Sequence, residues 1–287
     1  MRPARLFVAL VLAATAALPA AAQAPADTLG RIRAAKAINV AFAGDSLPFS
    51  FVDKDTRPAG YSIDLCNKVI AGIARAVNEP NLKVNWKIGT TAERLAMVAD
   101  GRAELECGNT TPTLGRMKGV DFSSMVFVDS SGLMVRRDAK ATRFGELGGR
   151  KIAVIGGTTT EARLQAALKE RLVNAEVVRV RDAGEAVAML DAGSVDAFAS
   201  DKLKLVGAAL QSRDAKALAV LEENISLEPY AFAVPRNDSA YRLEVNRALA
   251  QVFSSGELQS IFGRWFGSLG PPSGLLLSLY ALNALPE

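Results

Sequence analysis

Apolar positions along the first third of the chain switch repeatedly between a period of two and a period near 3.6, as strands and helices do in alternation. After a short helical lead at 29–35, residues 38–42 alternate as a strand, and a loop at 44–48 runs into Phe49, Ser50 and Phe51. Leu65, Val69, Ile73 and Val77 recur at helical spacing behind Ser62, the expected cap. A strand is predicted at 82–88 and a helix from Thr91 through Asp100, ended by Gly101. Ala103, Leu105 and Cys107 then alternate with Glu104 and Glu106, and Gly108 and Asn109 are expected to turn. Thr110 or Thr111 would cap a following helix with Pro112 in its first position, where a missing N–H costs nothing. Such a βαβαβα order predicts parallel strands with helices on both faces, and ligands outside the carboxyl ends of the strands.

The same alternation restarts downstream. Residues 122–128 read as extended, 132–137 as the first strand beyond, and 151–156 as a buried strand. Thr158 and Glu161 form a capping-box pattern ahead of Leu164, Leu168 and Leu172. A strand at 176–180, a helix at 182–192 with Val187 and Leu190 inward, and a strand at 195–199 delivering Ser200 and Asp201 complete a second α/β unit. Residues 225–234 are extended again and read as a return crossing. Crossings near 127–130 and 228–230 would make a hinge. Helices at 239–253 and 257–266 follow, with Leu243, Leu249, Val252, Leu258, Ile261, Phe262 and Trp265 as core; residues 270–287 are leucine-rich and are assigned no element.

Composition narrows the chemistry. Arg2 and Arg5, an apolar run at 6–18 and small residues up to Ala24 read as a cleaved secretory signal peptide, which places the mature chain in the periplasm. The first cysteine lies far beyond that region, so no lipid anchor through an N-terminal cysteine is expected. The formal charge of +4 is spread along the chain with both signs interspersed, which argues against nucleic acid as a partner. The chain has 0 histidines, so it builds no Ser/His/Asp or Cys/His nucleophile and no histidine metal site. Neither a cofactor nor a metal is expected. Its 2 cysteines, Cys66 and Cys107, are free to join in an exported protein or to serve as small buried apolar residues.

Residues 104–123, ELECGNTTPTLGRMKGVDFS, concentrate candidate chemistry at one strand end. Free backbone donors and threonine hydroxyls there attract an anion. Arg116, one turn later, offers a planar two-pronged donor for a carboxylate. A plain strand-to-helix turn with Arg116 in a surface ion pair is the competing reading of the stretch.

Six segments in order and at matching spacing carry a family resemblance: GYSIDLC at 60–66, ELECGNTT at 104–111, GRMKGVDFS at 115–123, GTTTE at 157–161, DAFASD at 196–201 and RWF at 264–266. Together they resemble the periplasmic solute-binding proteins (family 3) of polar amino acid ABC transporters, most of all the glutamate/aspartate-binding group. The resemblance implies an α/β, two-lobed periplasmic binding protein fold of type II. Residues 25–127 and 231–287 would form lobe 1, and 128–230 the hinge strands and lobe 2. By the same resemblance Arg116 pairs with a ligand α-carboxylate, Thr111 assists it, Thr159 closes on it from the second lobe, and Asp201 receives the α-ammonium. Thr91 and Arg94 match the pocket wall of that group, with Arg94 left as a cation for an acidic or amide side chain. The sequence departs at Ala43, Ala183 and Asn109, where that group carries arginine, histidine and serine. The implied partners are an amino acid and a membrane permease, and the implied state is a monomer. A few chains of this fold act instead as dehydratases of cyclohexadienyl acids, with Glu106 or Asp201 as the required acid, and a ligand-sensing module is a further alternative.

Overall fold

The computed structural model describes residues 27–139 and 141–287, so the expected signal peptide lies outside the described residues. Helix α1 (Thr28–Ala35) leads into strand β1 (Ala37–Phe42), which pairs in parallel with β5 (Lys83–Ile88) and β6 (Leu105–Thr110). Strands β2 (Asp45–Ser46), β3 (Ser50–Val52) and β4 (Pro58–Ala59) form a small antiparallel sheet inside the stretch read as a loop. Pieces of two or three residues are too short for a periodicity to register. Helices α2 (Tyr61–Ala76) and α3 (Thr91–Ala99) make the two crossovers. Gly60, not Ser62, stands at the N-cap of α2; the Ser62 hydroxyl is buried without a partner among the described residues.

One long strand, β7 (Val120–Arg136), replaces the two extended pieces expected around 122–137. Beyond it come β8 (Lys151–Ile155), α4 (Thr159–Glu170), β9 (Glu176–Val180), α5 (Ala183–Asp191), β10 (Ala197–Asp201), α6 (Lys202–Ala209) and β11 (Leu218–Val220). Strand β12 (Ser226–Pro235) runs antiparallel along β7, pairing Asp129 with Glu228 and Phe127 with Tyr230. Helices α7 (Ser239–Ser254), α8 (Glu257–Phe266) and α9 (Gly274–Asn283) close the chain, and α9 fills most of the stretch left unassigned from sequence. The strands order as β5-β1-β6-β12-β7-β10-β8-β9, so a single sheet runs through both halves and β7 and β12 are the members common to them.

Each half has its own apolar core. On the β5-β1-β6 side, Val40, Leu65, Val69, Ile73, Phe232 and Leu249 are fully buried. On the β10-β8-β9 side, Ile152, Val154, Leu164, Phe198 and Leu190 are. Two expected core positions fall outside. Leu172 follows α4 with φ 54° and is exposed, and Leu243 faces outward on α7. The halves meet closely where α6 passes the β2–β3 loop, since a Cβ on Gly207 would stand 2.4 Å from the Leu47 carbonyl oxygen.

Cys66 on α2 and Cys107 on β6 are joined in a disulfide, which resolves the two readings of the cysteines. The bridge ties the main helix of the first half to the strand that ends in the ELECGNTT segment. A loop with a sequence separation of 41 gives about 4 kcal/mol from restricting the unfolded chain. The pair Cys66→Ala and Cys107→Ala is therefore expected to lower unfolding free energy by roughly 2–4 kcal/mol, measured from denaturant midpoints beside the oxidised and reduced parent. Coincident midpoints for all three samples would rule the contribution out.

Candidate functional site

Strand β6 continues through Gly108 and Asn109 instead of turning there. Gly108 is required by packing, because a Cβ would come within 2.4 Å of Glu106 Oε1 and 2.9 Å of Arg94 Nη2. The turn falls at residues 111–115, and a single 3-10 turn, Arg116–Lys118, stands where a helix was expected. Gly115 and Gly119 flank it and β7 starts at Val120, which leaves no length for an α-helix. The N-cap of the turn is Gly115, with no side-chain cap, so neither Thr110 nor Thr111 serves as one; the Thr113 hydroxyl accepts from Arg116 N at 3.1 Å just ahead of it. This geometry presents Arg116 at the strand end with Nη1 donating to Thr111 O at 2.7 Å. Among the described residues Arg116 makes no ion pair. Burial lowers its pKa from the ordinary value, while Glu106, Glu228 and Asp201 oppose that shift.

Arg116 opens on a narrow chamber of about 20 Å³, of the size that holds one water. It is lined by Thr91, Asn109, Thr110, Thr111 and Arg116 from one half and by Ile155, Thr158, Thr159, Thr160, Ala199, Ser200, Asp201 and Lys204 from the other. Six of the seven candidates read from sequence therefore share one chamber, and Arg94 does not line it. The chamber shares Thr91, Ile155, Thr158 and Lys204 with an outer one of about 450 Å³, whose lining includes Asp45, Glu93, Arg94, Arg181 and Asp182. A groove of about 340 Å³ lies elsewhere, between β7, α8 and the α9 end of the chain, and its walls are mainly apolar.

Arg94 does not stand as an available cation. It is 3% exposed, its Nε lies 2.7 Å from Glu106 Oε1, and its Nη1 donates to Gly89 O at 2.8 Å. Thr110 Oγ1 donates to the same Glu106 oxygen at 3.0 Å, and Glu106 Oε2 has no partner among the described residues. The pair is neutral overall and supports the wall from behind. Glu106, fully buried within it, is also poorly placed to serve as an acid toward a ligand.

Local pattern does not reveal Glu228, and its effect on the site is large. Lying 1% exposed on β12, its Oε2 accepts from Thr111 Oγ1 at 2.6 Å and from Thr159 Oγ1 at 2.8 Å. Each hydroxyl has one proton. With both protons given to Glu228, the two threonines face the chamber as acceptors, not as the donors to a carboxylate that their expected roles implied. Anion-binding capacity remains in Arg116 and in the N–H groups that open α4.

Asp201 is 5% exposed at the end of β10 and has its own donors. Thr160 Oγ1 donates to Oδ1 at 3.1 Å, Tyr230 OH to Oδ2 at 2.7 Å, and Lys204 Nζ stands 3.5 Å from Oδ2. Burial, then the Asp201 charge, push the Tyr230 hydroxyl above its ordinary pKa, so it remains a donor. Asp129 lies behind, accepting from Ser130 N at 2.7 Å and Leu203 N at 3.1 Å. Burial and the Asp201 charge raise its pKa to about 7. Among the described residues no cluster of acidic and cysteine side chains is arranged to hold a metal ion.

The chain matches the model of the bacterial extracellular solute-binding proteins, family 3, over residues 38–268. It is 31% identical to the L-glutamate/L-aspartate-binding protein of Pseudomonas aeruginosa, covering 93% of this chain and 89% of that one. It is 29% identical to the glutamate/aspartate import solute-binding protein of Escherichia coli, covering 96% and 91%. A crystal structure of an ancestral amino acid-binding protein, described as a precursor of cyclohexadienyl dehydratase, superposes with a TM-score of 0.71 at 28% identity, covering 83% of this chain and 99% of that one.

Because its folded pKa of about 7 exceeds the ordinary aspartate value, Asp129 favours folding fully below about pH 4, and that contribution is lost as pH rises through 7. Carboxyl NMR of the labelled protein is expected to show Asp129 titrating near neutrality, and Asp201→Asn to move the midpoint down by removing a like charge. An unmoved midpoint would dissociate the two carboxylates.

Proposed function

Because the chain belongs to family 3 of the bacterial extracellular solute-binding proteins, we propose that it is the periplasmic receptor of an ABC transporter, binding an L-amino acid between two lobes and delivering it to a membrane permease. The observation that carries this reading is the pairing across one chamber of a half-buried arginine without an ion pair, Arg116, and a buried carboxylate, Asp201, from opposite halves of the fold. A zwitterion is the ligand whose two charges match them.

In this assignment the α-carboxylate lies against Arg116 and the backbone N–H groups at Thr111 and at the start of α4. The α-ammonium donates to Asp201 and to the outward lone pairs of Thr111 and Thr159. Asn109 and Thr91 complete the wall, while Arg94 shapes it through Glu106. Among the described residues, those up to 127 and from 231 onward make the first lobe and those between 128 and 230 the second, with the hinge where β7 and β12 pair between Phe127–Tyr230 and Ser131–Ser226. A chamber of about 20 Å³ is too small for an amino acid, so binding requires the lobes to open about that hinge and reclose.

A dehydratase of cyclohexadienyl acids is the competing reading, and turnover of prephenate or arogenate by the purified protein would establish it. Asp201, with its three donors already in place, suits a stationary counter-ion better than a proton donor.

Titration calorimetry of the mature protein, refolded after removal of carried-over ligand, is expected to give saturable heat with one amino acid or a small set. Arg116→Ala is expected to weaken that binding by about 100-fold or more, on the order of 3 kcal/mol, with the melting temperature preserved; near-wild-type affinity would remove Arg116 from the site. Gly207→Ala tests closure separately. The added methyl meets the Leu47 carbonyl, so solution scattering with saturating ligand is expected to show a larger radius of gyration than the parent, and an unchanged radius would mean that this contact does not limit closure.

A further inference from the structure

The two chambers divide the work of recognition. The inner one carries Arg116 and Asp201, and on the reading given above it takes the α-carboxylate and α-ammonium. The outer chamber, about 450 Å³, is then where the ligand's side chain extends, past Thr91, Thr158 and Lys204. What it can recognise depends on which charges along the path remain available.

Four cationic side chains line the chambers. Arg116 is assigned to the α-carboxylate. Arg94 is neutralised by Glu106 at 2.7 Å with both side chains buried. The Arg181 side chain is 85% exposed and bound to Glu185 at 3.1 Å. Lys204 differs from all three. Its side chain is 14% exposed, it lines both chambers, and among the described residues its one ion pair is the 3.5 Å contact with Asp201. That partner is the carboxylate that must receive the ligand's ammonium.

Binding therefore changes the surroundings of Lys204. An ammonium arriving at Asp201 sets a second cation beside Nζ, while Thr160 and Tyr230 already donate to the two Asp201 oxygens. Repulsion turns Nζ toward the outer chamber, where its flexible stem lets it meet whatever the ligand side chain presents. Three acids line it: Glu93 Oε2 accepts from Thr90 in the cap of α3, Asp182 caps α5, and Asp45 is exposed, its Oδ1 accepting from the Ser46 hydroxyl at 3.4 Å. A cationic side chain would add a third positive charge next to Lys204, and a neutral amide would offer Nζ a carbonyl oxygen but no opposing charge. A second carboxylate satisfies it.

We propose that Lys204 is the specificity-determining residue of the cleft, receiving a second anionic group on the ligand and selecting dicarboxylic amino acids over their amides. This rests on the amino acid receptor reading. Calorimetry with L-glutamate, L-glutamine and L-arginine on wild type, Lys204→Met, Lys204→Gln and Lys204→Arg tests it.

Wild type is expected to favour glutamate over glutamine by about tenfold or more, as loss of one charge-assisted contact implies. Both neutral variants should bring that ratio close to one, and Lys204→Arg should retain a preference for glutamate. Using two neutral variants keeps the test intact if one of them fails to fold. A wild type preferring glutamine or arginine, or a neutral variant keeping the full glutamate preference, would overturn the assignment. Failure of the receptor reading looks different: wild type would then bind none of the proteinogenic amino acids, whatever stands at 204.

Discussion

A single carboxylate oxygen joins the two halves of the cleft. Glu228 Oε2 takes the Thr111 hydroxyl from one side and the Thr159 hydroxyl from the other, and it can do so only while the halves are together. Oε1 is fixed from the opposite direction by Ser226, whose hydroxyl also meets that of Ser131 on the facing hinge strand. The acceptor is thus set by the pairing of β7 with β12 before either threonine reaches it. Closing the cleft and aiming two hydroxyl lone pairs inward become one event. A buried carboxylate needs such donors, since without them its desolvation would be uncompensated.

The remaining charges are arranged around that arrangement in matched sets. Arg94 and Glu106 cancel behind the wall. Arg116 faces acids at a distance and forms no ion pair among the described residues. Asp201 and Asp129 lie near one another, and burial together with that mutual repulsion leaves Asp129 close to half-protonated at neutral pH. A cation brought to Asp201 eases the ionisation of Asp129, so binding and proton release are linked in sign. None of these relations needs a metal or a covalent step; they follow from which charges share a small volume of low dielectric.

The fold was largely legible because its elements are long and strongly periodic: β1, α2, β5, α3, β8, α4, β9 and α5 follow the apolar spacing to within a few residues. Short pieces escaped, as β2 to β4 show. The turn expected at Gly108 failed for a tertiary reason, since the glycine serves close packing against Glu106 and Arg94 within a strand. Ser62 lost the cap of α2 to Gly60. In the site, Asn109, Thr111 and Arg116 were visible because they stand at a strand end, while Thr159 and Asp201 were reached through the family resemblance. Glu228 was not, because its partners lie 117 and 69 residues away and nothing in ISLEPYAFAV marks one acid as buried. Lys204 escaped likewise; a lysine in the first turn of a helix reads as solvated until the facing half encloses it.

The crossing of β7 and β12 is braced at one end by aromatic side chains. Phe127 and Tyr230, paired across β7 and β12, sit in an aromatic cluster with Phe49, Tyr61 and Phe266. Tyr61 OH donates to Val126 O at 2.9 Å and meets Tyr280 OH of α9 at 2.8 Å, so the closing helix braces the same point. Up to Phe127 the strand pair therefore packs into the first core, whereas Ser130, Ser131 and Ser226, just beyond, take no part in the aromatic cluster. Tyr230 has its ring in this rigid cluster and its hydroxyl on Asp201 of the second half. Asp201 is thereby positioned by the aromatic core of the opposite half through Tyr230, as well as by Thr160 of its own half, so the carboxylate at the end of β10 is set from both sides.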